Sequence, residues 1–132
     1  AHRDGIGVAL ADRHARVGVD IERIEARSPA FLRDWFTPGE RALTGDDPRR
    51  QALVWSAKEA VLKLLGTGLR LGAEQVIVRA IEERHLEVQL GPAASALSAQ
   101  LGLGPVALTY REDADEYVIV EAVAAVAPSR AA

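Results

Sequence analysis

The stretch from Asp47-Pro48 to Gly66-Thr67-Gly68 constrains the fold more than any other part of the chain. Aspartate can cap a helix by accepting from its free N–H groups, proline suits the first helical position, and glycine can take the left-handed conformation that ends one. The pattern predicts the longest helix from there to about Leu65, and the rest of the chain must pack around it. A second start signal stands upstream at Thr37-Pro38-Gly39-Glu40, where Thr can cap and Glu can close a capping box. Before these, Ile6 to Ala11 and Arg16 to Glu22 read as short strands joined by a turn at Asp12 to Ala15. After them come strand-like segments at Gln75 to Ile81 and His85 to Leu90, then an Ala-rich helical stretch from Ala93 to Leu101. Two final strands are expected at Val106 to Arg111 and Tyr117 to Ala125. Strands bracketing a helical middle predict an α+β domain, with a mostly antiparallel sheet packed against a long central helix. Residues 1–125 are expected to form that domain and 126–132 a tail.

A chain of 132 residues suits one domain, and with aromatics at 5% its core must be built from Ala, Val, Leu and Ile. No apolar run approaches the roughly 20 residues of a membrane span, which together with the lack of a signal peptide leads us to expect a cytoplasmic protein. The absence of cysteine excludes disulfides and thiolate chemistry. A net charge of −3 argues against a nucleic-acid partner, because neutralising phosphates needs a surplus of Lys and Arg. Of the 16 basic residues only Lys58 and Lys63 are lysines, and they stand five positions apart. The chain has no Met and begins at Ala1, so it reads as a domain processed or excised from a longer product.

Residues two apart on a strand face the same way, so Gly18-Val19-Asp20-Ile21-Glu22 puts Asp20 and Glu22 together on one face, and Val19 and Ile21 on the other, facing the core. Two adjacent carboxylates repel, and a hard, oxygen-seeking cation such as Mg²⁺ relieves that repulsion. A solvated strand face at a sheet edge would look the same. On the long helix, Arg49, Ser56, Glu59 and Lys63 share one polar arc, with Leu53, Ala57, Ala60 and Leu64 opposing it. Glu59 and Lys63 could be an ordinary surface ion pair. They become functional if the arc faces Asp20 and Glu22.

The strand Gly-Val-Asp-Ile-Glu, followed by Trp55-Ser56-Ala57-Lys58-Glu59-Ala60-Val61-Leu62-Lys63, resembles the two-part signature of the 4′-phosphopantetheinyl transferases. Trp35-Phe36-Thr37-Pro38-Gly39-Glu40 is similar to that family's Phe-Thr/Ser-x-x-Glu segment, and Leu65-Gly66-Thr67-Gly68-Leu69 to its glycine turn. The resemblance implies transfer of phosphopantetheine from coenzyme A to a serine of an acyl or peptidyl carrier protein, with release of 3′,5′-ADP. It implies Mg²⁺ held by Asp20, Glu22 and Glu59, phosphate contacts from Lys63 and Lys58, and proton removal from the serine by Glu59. Ala1-His2-Arg3-Asp4-Gly5 resembles the Ser-His-x-x-Gly stretch of surfactin-type members, which gives His2 a coenzyme A contact. The small trimeric members carry a histidine near the final strands where Tyr110 stands here. His14 and His85 are expected to be solvent-exposed.

The likeness to the second half of surfactin-type enzymes implies that a homo-oligomer or an upstream half-domain completes the site. A transferase domain ending a polyketide or fatty-acid synthase would fit the missing Met. Arg23, Arg27 and Arg33, which recur through a loop or short helix just after the strand, are expected to meet an acidic carrier. Two other readings remain open: a non-catalytic structural half that docks a carrier, and a Mg²⁺-dependent nuclease. The second is disfavoured by the order Lys58-Glu59 and by the acidic balance.

Overall fold

Each of the four α-helices among the described residues opens on proline, which fixes φ near the helical value and lacks the N–H that a first turn would leave unpaired. The computed structural model describes residues 14–127 and, further upstream, the backbone of β1 (His2–Arg3) and β2 (Ile6–Gly7), which pair antiparallel. The rest of the strand expected at Ile6 to Ala11, and Asp12 and Arg13 of the turn after it, lie outside the described residues.

Ser28 opens α1 (Pro29–Trp35) by accepting from Phe31 N at 3.1 Å. Thr37 opens α2 (Pro38–Thr44), and its capping box closes: Thr37 Oγ1 accepts from Glu40 N at 3.1 Å and Glu40 Oε1 from Thr37 N at 2.9 Å. Asp47 opens α3 (Pro48–Leu65), accepting from Arg49 N at 2.9 Å. Gly66 ends α3 in the left-handed region at φ 78°. Arg16 donates from Nε to Leu64 O at 2.8 Å, placing a cation where the helix's carbonyl ends collect partial negative charge. The last helix, α4 (Pro92–Gln100), follows Gly91, which has no side chain to offer. Gln75 supplies the cap from elsewhere in the chain, its Oε1 accepting from Ala93 N and Ala94 N at 2.9 and 3.2 Å.

The sheet has five antiparallel strands in the order β3-β7-β6-β5-β4, with β3 (Ala15–Arg23), β4 (Val76–Ile81), β5 (His85–Leu90), β6 (Ala107–Asp113) and β7 (Tyr117–Ala125). An α+β domain built on a long helix is therefore what the chain forms. Val126 and Ala127, placed in the tail by sequence, are tied down by bonds to His14 O and Gly102 O at 2.9 and 2.8 Å.

Helix α3 runs through the middle of the main core. Leu53, Val54, Ala57, Val61, Leu62, Leu64 and Leu65 are buried against Val76, Val78, Leu86, Leu108, Val118 and Val120. Each of these Val and Leu side chains contributes about 1.5–3 kcal/mol by leaving water. The helix is thus buried nearly all round, with Gln51, Ser56 and Lys58 among its buried residues, and the expected placing of Leu53, Ala57, Ala60 and Leu64 opposite the polar arc is corrected. Ala60 and Leu64 lie beside the polar arc, where β3 crosses the helix. The crossing is at Gly18: a Cβ there would overlap Ala60 O and stand 2.5 Å from Leu64 N. Val19 and Ile21 face the other way, in a smaller cluster with Tyr117 and Ile119.

Candidate active site

Gly18, Asp20 and Glu22 alternate onto the strand face that meets α3, so the close approach allowed by the glycine brings the helix within reach of both carboxylates. Asp20 is 2% exposed and held at both oxygens. Ser56 Oγ donates to Asp20 Oδ2 at 2.9 Å, and Lys63 Nζ donates to Asp20 Oδ1 at 2.7 Å and to Val19 O at 3.2 Å. The Lys63 side chain stays 42% exposed, so its ammonium is anchored on protein yet open to a ligand. Glu59 is half-buried and lies on the same arc, three residues after Ser56 and four before Lys63. Of the sequence-derived arc of Arg49, Ser56, Glu59 and Lys63, Ser56 and Lys63 meet this strand directly, and Arg49 reaches Glu112 of β6 at 2.9 Å.

Glu22 is buried beside Asp20, with Arg27 Nη2 3.4 Å from its Oε1. Among the described residues no three carboxylate or imidazole side chains converge as a metal-binding group. The donor chemistry nevertheless suits a hard cation, since Asp20, Glu22 and Glu59 offer carboxylate oxygens only. A lysine ammonium on Asp20 and a guanidinium near Glu22 offset the repulsion between the two carboxylates.

Lys58 is a correction. It follows Ser56 by two residues, about 200° round the helix, and so points away from the carboxylates. The side chain is fully buried, with Nζ 2.9 Å from Glu40 Oε1, 3.0 Å from Ala73 O and 2.6 Å from Val76 O. All three N–H donors of the ammonium are used, so Lys58 does not reach a solvent-borne phosphate. Burial pushes its pKa below the usual lysine value, and the hydrogen bond and charge of Glu40 pull it partly back. Sequence reasoning saw Glu40 only as a capping residue. Its other oxygen, Oε2, accepts from Val78 N at 2.8 Å, a contact across 38 positions that no local signal announces.

His2, expected to touch coenzyme A, has its side chain outside the described residues. His14 and His85 are exposed as expected. The three arginines do not form one docking edge. Arg23 donates to Tyr117 OH at 2.9 Å, Arg27 is spent on Glu22 and the Glu25 carbonyl, and Arg33 stands exposed on α1. Ser56 is the site residue that was not singled out for a contact; its place on the polar arc was the available signal.

A family model described as 4′-phosphopantetheinyl transferase superfamily matches residues 16–120, which takes in Asp20, Glu22, Glu59 and Lys63. A holo-[acyl-carrier-protein] synthase of Roseiflexus castenholzii is 34% identical over 112 residues, covering 80% of this chain and 78% of that protein. The crystal structure of holo-[acyl-carrier-protein] synthase from Neisseria meningitidis superposes with a TM-score of 0.68 at 26% identity, covering 82% of this chain and 95% of the other. The Helicobacter pylori synthase in complex with coenzyme A gives a TM-score of 0.65 at 20% identity, covering 83% and 99%. At that identity the likeness speaks to the fold alone. The matched structures are nearly spanned from end to end, so the likeness is to chains of this size.

Proposed function

The chain belongs to the 4′-phosphopantetheinyl transferase superfamily, and from that premise we propose that it moves 4′-phosphopantetheine from coenzyme A onto a serine of an acyl carrier protein. The observation that carries the reading at residue level is the meeting of the two signature halves. Asp20 of the strand motif is bonded directly to Ser56 and Lys63 of the helix motif. The Lys63 side chain stays 42% exposed while its ammonium is anchored on that buried carboxylate, as a contact to a ligand phosphate requires.

In the proposed reaction the serine oxygen attacks the phosphorus that carries pantetheine. A phosphodiester forms, the pyrophosphate P–O bond breaks, and 3′,5′-ADP departs. Lys63, its Nζ held by Asp20 and Val19 O, presents a point charge to the pyrophosphate. Glu59 takes the serine proton in this scheme: Asp20 is buried and committed at both oxygens, whereas Glu59 is half-buried and reachable from solvent. Asp20, Glu22 and Glu59 are the residues that would hold Mg²⁺, and bound there the ion would neutralise charge on the leaving group.

Incubation with coenzyme A, Mg²⁺ and an apo acyl carrier protein tests the function. The carrier should gain the mass of phosphopantetheine, and an unchanged mass with a range of carriers would refute the reading. Self-association is part of the same proposal, now on a structural ground. Val17 and its cross-strand partner Val123 are half-buried on the sheet face opposite α3, beside exposed Ala107 and Thr109. Light scattering should give a multiple of the 14.1 kDa chain mass, and a monomer at every concentration would remove this part. Among the described residues no helix is long and apolar enough to cross a membrane.

A further inference from the structure

Resting on the transferase reading, we propose that Lys58 and Glu40 form a positioning device that fixes the rotational setting of α3, and that neither touches a substrate. The pair is fully buried, both side chains at 0% exposure, yet every polar atom in it is used. Lys58 Nζ binds Glu40 Oε1, Ala73 O and Val76 O, and Glu40 binds Thr37 N and Val78 N in return. Among the described residues β4 is the end strand of its sheet, away from β3. The ammonium takes a β4 carbonyl and the carboxylate takes a β4 N–H, as a neighbouring strand would. The pair therefore ties α2, α3, the 73–75 turn and the β4 edge to one point.

That point lies across the helix from the site. On one side α3 is pinned to β3 through Gly18, Ser56 and Lys63; about 200° round, it is pinned to β4 through Lys58. The apolar packing around α3 is non-directional, whereas hydrogen bonds on two sides of the helix oppose a roll about either one. Side chains reach about 5–6 Å from a helix axis, so a roll of about 10° moves a carboxylate by about 1 Å. A misplacement of about 1 Å can cost about a hundredfold in rate. Glu59 is the next residue after Lys58, so whatever sets the direction of the one sets the direction of the other.

Lys58→Met and Glu40→Gln test the proposal, because glutamate cannot be a phosphate contact whereas lysine could. Both variants should lower kcat about ten- to hundredfold while the KM for coenzyme A stays within about twofold. The double variant should be little worse than the poorer single one, since both act through one contact. A second readout does not depend on turnover. Trp55 on α3 packs against Phe31 and Trp35 with ring centroids at 4.9 and 5.4 Å, so a roll of α3 should change the near-ultraviolet circular dichroism alike in both variants. A rise of tenfold or more in the KM for coenzyme A in Lys58→Met alone would make Lys58 a phosphate contact and overturn the proposal. Unchanged kcat and unchanged spectra in both variants would overturn it too. If the wild-type chain transfers nothing, the transferase reading fails, and the spectra alone decide the positioning. Should Lys58→Met not fold, Glu40→Gln, which keeps one acceptor oxygen, carries both readouts.

Discussion

Asp20→Ala is expected to lower phosphopantetheine transfer by about 10³-fold or more while leaving a folded protein. Removing one preorganised electrostatic group from an active site costs about 10²–10³ in rate, and Asp20 supplies more than one such contribution. Its loss takes away a proposed metal ligand and also the anchor that aims Lys63 at the pyrophosphate. The fold should tolerate the change. Ser56 Oγ still has the Asp20 carbonyl oxygen at 3.3 Å, and the Lys63 ammonium, 42% exposed on its side chain, can turn to water. A rise in melting temperature, expected if bare carboxylates repelled one another, is not anticipated now that Asp20 is seen paired with a cation. Asp20→Asn separates the causes: it keeps the side-chain shape and an oxygen for Ser56 but removes the charge, so it should fail nearly as badly as alanine. Activity within about tenfold of wild type for either variant, with Mg²⁺ saturating, would place the chemistry elsewhere.

Local chemistry made some of this architecture legible, and the reasons are specific. The bounds of α3 were readable because Asp47, Pro48 and Gly66 each solve a problem at a helix end that involves only their immediate neighbours. The same holds for the Thr37–Glu40 capping box. Helix α1 was read only as a loop or short helix, although Ser28-Pro29 carries the same signal. Among its seven residues none is buried, so no apolar periodicity supports the cap; its aromatic rings instead join Trp55 in a half-exposed cluster. Asp20 and Glu22 were legible as a pair from the strand period alone. What met them was not, because a strand pattern does not say which helix crosses it. Lys58 shows the limit most plainly. Its closeness in sequence to Glu59 and Lys63 suggested a shared task, but the helical angle sends it to the far side. Its true partner, Glu40, belongs to another helix.

Gly18 also went unread, although an isolated glycine within a strand pattern often marks a close approach of two backbones. Gly18→Ala is expected to destabilise the protein by about 3 kcal/mol or more, the upper end for overpacking a core. The added methyl would fall on Ala60 O and within 2.5 Å of Leu64 N, both backbone atoms of α3. No side chain can rotate away to make room, so the strand and the helix must part. The strand is poorly free to yield, since Gly18 is paired with Ala122 in the middle of the β3–β7 ladder. At about 3–5 °C per kcal/mol for a domain of this size, the melting temperature should fall by about 10 °C or more. Any separation also draws Ser56 and Lys63 off Asp20, so transfer should drop at temperatures where the variant is still folded. Ala60→Gly provides the control: if the obstacle is the helix carbonyl, trimming the Ala60 methyl in the Gly18→Ala background restores nothing. A melting temperature within about 2 °C of wild type would refute the backbone-contact argument at that stated stability slope, and recovery by Ala60→Gly would show that the clash belongs to a side chain.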